Sequence, residues 1–370
     1  MKACGIVVEY NPFHNGHLYH LQKAKEVSNC DVVVAVMSGN FVQRGEPAII
    51  DKWQRAEAAV RAGVDLVIEL PYPFVTQSAS HFASGAISLL KLAKVSSVVF
   101  GSESNNLEEL KEIASMSINP DNLKESMSSG IAFPKAYGLW CKEMMPNDIL
   151  AVAYLKQLEG SGIEPLSIQR TVGYHDLNEE GPVVSAKAIR EAYFTDHRLL
   201  SQTPMKEALM QAQTVSMKQF YPYLRTLLTT MPRNVLCQYF LFSEGIEVHL
   251  ADCADQAETW EKFLSLAVNR RYTRSRIQRT CLQLLTQTRW EEIRSLPQID
   301  TLRPLAFNQK GRDYLKQMRK EEVRVASRFA AVPEPYRKLE YRTTRLYTSM
   351  MEEEQRQNLL KKEIGGPVLL

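Results

Sequence analysis

The sequence predicts an α/β protein: a Rossmann-like parallel sheet in residues 1–195, followed by a mainly helical half in residues 196–370. Three observations carry this reading. Short β-branched runs alternate with amphipathic helical spacings up to about Asp196, the pattern of parallel βαβ units. Beyond that point the strand signal nearly vanishes. A chain of 370 residues is also too long for one ordinary core, so two domains are expected.

The elements follow in order. Ala3 to Glu9 reads as the first strand and His17 to Val27 as the helix after it. Asp31 to Met37 is a continuous apolar run, as in a strand buried on both faces. Asp51 is placed to cap a helix from Lys52 to Ala62 that stops at Gly63. Asp65 to Leu70 is a third strand, Ser80 to Leu92 a helix, Ser97 to Phe100 a fourth strand and Leu107 to Met116 a helix. Residues 117–163 read as a helical insertion, clearest at Ile149 to Leu158. Glu164 to Arg170 then returns to strand and Ser185 to Tyr193 to helix. In the second half, helical spacing marks Leu199–Gln213, Gln219–Leu228, Gln256–Val268, Arg274–Thr286 and Gly311–Ala330. Parallel sheets bind ligands at the carboxyl ends of their strands. That directs attention to the loops Tyr10–Gly16, Ser38–Ile50, Pro71–Ala79 and Gly101–Asn106.

Hydrophobic residues at 45% and charged residues at 24% fit a globular chain. No apolar stretch is long enough to cross a bilayer, so no membrane partner is expected. The run Ala3 to Val8, cut off by Glu9, is too short for a signal-peptide core. The six cysteines are scattered, with no CxxC pair and no His at zinc-ligand spacing. They read as reduced structural thiols of a cytoplasmic protein, and no structural metal is expected. The net charge of +3 hides an asymmetry. Residues 261–350 hold 20 Lys and Arg against 9 Asp and Glu, and the other 280 residues hold 25 against 33. A confined basic excess points to a polyanionic partner.

The most informative stretch is Gly5-Ile-Val-Val-Glu-Tyr-Asn-Pro-Phe-His-Asn-Gly-His17. A strand leads into a turn, and a helix is expected to open on His17, with His14 and His17 on one face of its first turn. Gly16 lets a bulky ligand approach the backbone. The unpaired N–H groups and dipole of the helix start form a natural phosphate site. Imidazoles there can donate to a triphosphate as charge develops on leaving pyrophosphate, which is electrostatic stabilisation and not acid–base chemistry. Two such histidines could equally be ordinary helix-surface residues. Their position straight after the first strand favours the phosphate reading.

Two further stretches carry candidate chemistry. Asn40, Arg44 and Lys52 lie in or just after the loop of the second strand, and Arg44 and Lys52 are the best placed to touch a small substrate or an RNA end. A solvated loop is the competing reading. Arg270, Arg271, Arg274, Arg276 and Arg279 fall in an interval, 262–290, that has no acid at all. Helical spacing from Thr273 puts Arg276 and Arg279 with Gln283 and Gln287 on a polar face, opposite Ile277, Cys281 and Leu284. Phosphate contact is the functional reading, and a solvated face the bland one.

The segment Lys2 to His20 resembles the bacterial tRNA(Met) cytidine acetate ligase family, within the HxGH nucleotidyltransferase superfamily. So do Ser38–Pro47, Asp65–Pro71, Gly101–Ser104, Pro146-Asn147, Tyr174-His175-Asp176 and Arg271–Arg279, over residues 1 to about 345. The resemblance implies a two-step reaction. Acetate attacks the ATP α-phosphate, giving acetyl-adenylate and pyrophosphate. The acetyl group then passes to N4 of the wobble cytidine of elongator tRNA(Met). It also implies ATP contacts from Val7, Val8, Glu9, Tyr10, Asn11, Pro12, Phe13, His14, Asn15, Gly16, His17, Leu18, Tyr19 and His20, and from Gly101, Asn147 and Arg170. Ser185, Lys187 and Arg190 resemble the superfamily's second phosphate signature, with Ser185 as helix cap and the two cations as clamps. The family usually has Thr where this chain has Lys187, so a hydroxyl is exchanged for a cation. Mg²⁺ is expected to accompany ATP. Two rival functions remain: an adenylyltransferase for a small phosphorylated metabolite, and an RNA-binding protein that a nucleotide regulates.

Overall fold

The computed structural model describes residues 1–116, 144–170, 184–195 and 200–370. Five parallel strands make up most of a seven-stranded sheet: β1 (Ala3–Val8), β2 (Val32–Ser38), β3 (Leu66–Leu70), β4 (Ser97–Ser102) and β5 (Glu164–Gln169). Every residue of β2 is buried, as its unbroken apolar run requires. Between the strands run α1 (Asn15–Ser28), α2 (Lys52–Arg61), α3 (Ala79–Leu92), α4 (Leu107–Ser115) and α5 (Pro146–Leu158). Asp51 caps α2 as expected, its side chain accepting from the N–H groups of Trp53 and Gln54. One face of the sheet packs Val34, Val36 and Ile68 against Phe82, Leu90 and Leu155 of α3 and α5. The other packs Ile6, Val33 and Ala35 against Leu21, Ala24 and Ala56 of α1 and α2.

Helix α5 carries the chain from the β4 side to β5, and its apolar residues belong to the main core. The expected insertion is therefore reduced to residues before Pro146, and its 117–143 part lies outside the described residues, as does Tyr174-His175-Asp176.

The second half is mainly helical, as expected, and it also returns short strands that the spacing did not reveal. After the short strand β6 (Thr301–Leu302), β7 (Pro304–Phe307) pairs antiparallel with β3, and β9 (Val368–Leu369) extends the sheet beyond it. The sheet order is β5-β4-β1-β2-β3-β7-β9. A four-residue strand that opens on Pro is too short for its alternation to register and cannot donate from its first residue. The expected helix over Gly311–Ala330 is shorter, Gln309–Lys320, and is followed by β8 (Arg324–Val325), which pairs with β6. A Cβ at Gly311 would sit 2.0 Å from the carbonyl oxygen of Asp65. That glycine lets the helix press against the start of β3. After the helix Gln309–Lys320 (α11) come two late helices that spacing did not reveal, α12 (Glu334–Thr348) and α13 (Glu353–Ile364).

What fixes this return is a buried ionic cluster. The Lys52 ammonium lies 2.6 Å from Glu69 and 2.7 Å from Glu363, and the Arg303 guanidinium 2.6 Å and 2.8 Å from the same two carboxylates. Asn40 joins it, accepting from the Lys52 N–H and donating to Thr344, which in turn donates to Glu363. This corrects the expectation that Asn40 and Lys52 are substrate-loop residues. Both are buried, and their side chains are committed, that of Asn40 to the Lys52 N–H and α12 and that of Lys52 to β3 and α13. The spacing signal could not see partners some 300 positions away.

Glu340 of α12 stands at the edge of this cluster, accepting the Tyr72 N–H at 2.6 Å. Burial, then the neighbouring Glu69, push its carboxyl from 4.5 up to about 8. A raised carboxyl means that the folded state holds a proton the unfolded chain has released. The stability tied to that proton is full below the unfolded value and is lost as pH rises through the folded one. Glu340→Gln keeps the acceptor for Tyr72 and removes the titration. Between about pH 6 and about pH 9 the native protein should lose on the order of 2 kcal/mol that the variant keeps. Parallel denaturation profiles for the two proteins across that range would refute this assignment.

Candidate active site

The chain fills the sheet from β1 through β2 to β3 on one side, then crosses to β4 and β5 on the other. The switch point is the crevice between β1 and β4, where open α/β sheets bind ligands. The loop from Glu9 to His14 and the residues around Gly101 stand at its mouth.

Helix α1 opens at Asn15, two residues earlier than expected, and His14 is its N-cap. The His14 Nδ1 accepts the Gly16 N–H at 3.0 Å, and the His17 Nδ1 accepts the His14 N–H at 3.3 Å. The two rings lie against each other, tilted by 35°, with centroids 3.8 Å apart. Capping consumes both Nδ1 lone pairs, so each imidazole must carry its proton on Nε2. Desolvation, then Arg170 and Arg190, lower the His14 pKa to about 3. Desolvation followed by the neighbouring histidines holds His17 well below its ordinary value, and desolvation with Arg170 brings His20 to about 4. The histidines are thus neutral donors. Tyr10 packs edge-on to both Phe13 and His17.

Arg170, just after β5, and Arg190 bring positive charge to the same place. A Cβ at Gly101 would lie 3.1 Å from the Arg170 Cγ, so glycine there lets that side chain cross the end of β4. Arg190 of α6 (Ala186–Thr195) donates to the Asn11 carbonyl at 2.6 Å. Ser185 accepts the Ala188 N–H at 3.1 Å and caps α6, as expected. Lys187, half-buried, lies 3.7 Å from Glu191 one turn on, and among the described residues no contact ties it to the histidines. Asn147 is turned to Glu103, which accepts from its side chain and backbone N–H, while Asp148 accepts the N–H groups of Glu103 and Ser104. That reciprocal lock, which joins the β4 loop to the start of α5, went unread in the sequence. Its only signal was a Gly-Ser-Glu-Ser run facing a distant Pro-Asn-Asp.

The basic helix is not placed as the spacing suggested. A third core gathers α7 (Met217–Thr230), α8 (Ile246–Asp255), α9 (Trp260–Ala267) and α10 (Arg274–Leu285). The polar face of α10 is the seam against the sheet domain. Gln278 donates to Glu46, Gln283 to Thr76, and Arg279 to the Gln77 carbonyl at 2.7 Å. Gly45, at φ +80°, packs so close that a Cβ would meet the Arg279 backbone nitrogen at 2.4 Å. Arg276 donates to the Leu241 carbonyl and to Ser243. This corrects the reading of Arg276 and Arg279 as lying on a free polar face: both are half-buried and hold the protein's own backbone. Arg44 is half-buried at the same seam, whereas Arg270, Arg271 and Arg274 are exposed.

Comparison with known proteins places the chain in a family. A family described as HIGH nucleotidyl transferase matches residues 1–363. A tRNA(Met) cytidine acetate ligase of Limosilactobacillus reuteri is 41% identical over 334 residues, covering 87% of this chain and 88% of its own. The protein of the same name from Oceanobacillus iheyensis is 36% identical, with 100% of each chain covered. Among solved structures, Thermotoga maritima TmcAL bound with alpha-thio ATP is similar over 100% of both chains, with a TM-score of 0.87 and 32% identity. Its apo form gives 0.90.

Because His14 both caps α1 and presents a donor, alanine would confound the two roles. Asn caps a helix as well as any residue but cannot place a donor where the imidazole Nε2–H stands. His14→Asn should leave the melting temperature nearly unchanged and weaken nucleoside triphosphate binding about tenfold in calorimetry, roughly the worth of one hydrogen bond to a charged group. Unchanged affinity would remove His14 from the phosphate site.

Proposed function

The chain belongs to the tRNA(Met) cytidine acetate ligase family, and we propose that it activates acetate with ATP and transfers the acetyl group to N4 of the wobble cytidine of elongator tRNA(Met). The observation that carries this reading is the meeting of two neutral Nε2–H donors with Arg170 and Arg190 at the switch point. Such a cluster suits a triphosphate whose terminal pair departs as pyrophosphate. Neutral donors and guanidinium groups already in place stabilise the charge that grows on the leaving oxygens, without reorganising at that moment. Acetate needs no activated side-chain nucleophile from the protein, because a carboxylate attacks phosphorus directly.

Mg²⁺ would enter with the triphosphate. No group of three His, Cys, Asp or Glu able to hold a metal gathers among the described residues, so phosphate oxygens and water are its natural ligands. For the RNA, the exposed trio Arg270, Arg271 and Arg274 beside Tyr272 is the surface we assign, with Arg271 over the Tyr272 ring at 5.5 Å. Cytoplasmic residence accords with a tRNA substrate.

Two measurements test this. Pyrophosphate release from ATP should require acetate, and nucleoside mass analysis of treated elongator tRNA(Met) should show N4-acetylcytidine. Release that demands a phosphorylated metabolite in place of acetate would favour an adenylyltransferase. Replacing Arg270, Arg271 and Arg274 together by Gln should lower tRNA affinity and flatten its salt dependence by about two to three units of log–log slope. The same preparation should bind ATP normally. A wild-type salt slope would move the RNA surface elsewhere.

A further inference from the structure

Glu9 follows the last residue of β1, at the mouth of the switch-point crevice. Strand alternation decides which way it faces. Cys4, Ile6 and Val8 belong to the core under α1. Ala3 and Val7 pack on the opposite side, where a Cβ at Gly5 would meet Leu90 of α3. Glu9 continues that second series. It therefore stands across the strand end from α1 and its histidines.

The carboxylate is held by one oxygen only. Its Oε1 accepts the Gln43 N–H at 2.7 Å and the Ser38 hydroxyl at 3.2 Å. Its Oε2 makes no hydrogen bond among the described residues. Beneath it, the Arg55 guanidinium, fully buried, donates to the Glu9 and Gly39 carbonyls. That cation offsets the repulsion a second carboxylate would feel on arriving. The support continues outward. The Gln43 side chain donates to the Gln77 carbonyl at 2.8 Å, and Arg279 of the basic half donates to the same oxygen. The seam with the helical half thus ends at this carboxylate.

The chemistry of the proposed reaction gives this side of the strand a purpose. Displacement at the α-phosphorus runs in line, with nucleophile and leaving group on opposite sides. If pyrophosphate departs beside His14 and His17, acetate must arrive from the far side, and the acetyl carbon of the adenylate is left there. We propose that Glu9 is the proton acceptor of acetyl transfer, its free Oε2 receiving the proton that the attacking cytidine amine gives up. The inference rests on the ligase reading above. In the step, the N4 lone pair attacks the acetyl carbonyl carbon and a C–N bond forms. The bond from that carbon to the phosphate oxygen breaks, and its electron pair leaves with AMP. One N4 proton passes to Glu9 and from there to solvent. Ser38 and Gln43 are positioning residues for this carboxylate.

Glu9→Gln separates the two roles, because an amide oxygen still accepts from Ser38 and Gln43 but cannot accept the proton. The full chain is compared with its variant in two assays: acetate-dependent pyrophosphate release, and single-turnover acetyl transfer from supplied acetyl-adenylate to an elongator tRNA(Met) transcript. Transfer should fall by about a hundredfold or more, the usual worth of a general base, and at least tenfold further than pyrophosphate release. The acid limb of the wild-type transfer rate against pH should be missing in the variant. Gln43→Ala, which keeps the backbone N–H, should slow transfer but retain that limb. Equal losses in both assays would make Glu9 a support of the hairpin alone, and transfer at wild-type rate would also overturn the proposal. Failure of the wild-type protein to release pyrophosphate with acetate would instead strike down the ligase reading beneath it.

Discussion

Lys52, Glu69, Arg303 and Glu363 come from α2, β3, the approach to β7 and the end of α13, and they meet where water is excluded. Two cations between two carboxylates satisfy one another there, and removing any one would strand a charge in a dry interior at a cost of several kcal/mol. Much else depends on that closure. It holds the last 70 residues against the first 70, covers the outer edge of β3 with β7, and seats α12 so that Tyr347 reaches the Ala48 carbonyl at 2.9 Å. The loop from Ser38 to Ile50 is thereby fixed from behind before it meets any ligand.

That loop joins the crevice to the basic half. Its Gln43 reaches Glu9 at the mouth of the crevice. Its Gly45 and Glu46 pack on α10 of the basic half. The seam pairs polar groups across it, which explains why α10 carries Gln and Arg on a face that is largely withdrawn from solvent. A buried polar face of this kind is costly unless each group finds a partner, and here Gln278, Arg279 and Gln283 each do.

The histidine pair shows how a capping geometry can set chemistry. Both imidazoles spend their Nδ1 atoms on backbone N–H groups, so their tautomer is decided by the helix start. Burial, and then the nearby charge of Arg170, keep them uncharged. The arrangement gives the site positive potential from guanidinium groups and directional donation from neutral rings, two roles that a pair of imidazolium ions would have blurred.

Local signals in the sequence were sufficient for the parallel strands β1 to β5, the caps at Asp51 and Ser185, and the position of His14 and His17 at a helix start after the first strand. Each of these depends on residues within a turn or a strand of one another, where spacing and composition carry the information. The ligand loops were legible for the same reason, since strand direction places them. The tertiary structure alone decided that Asn40 and Lys52 face inward, that Arg279 belongs to a seam, and that β7 and β9 finish the sheet. In those cases the deciding partner lies more than 200 residues away: Glu363 for Lys52, Gln77 for Arg279 and β3 for β7. A charged side chain looks the same in sequence whether it meets water or a buried counter-charge, and only the folded chain supplies the counter-charge.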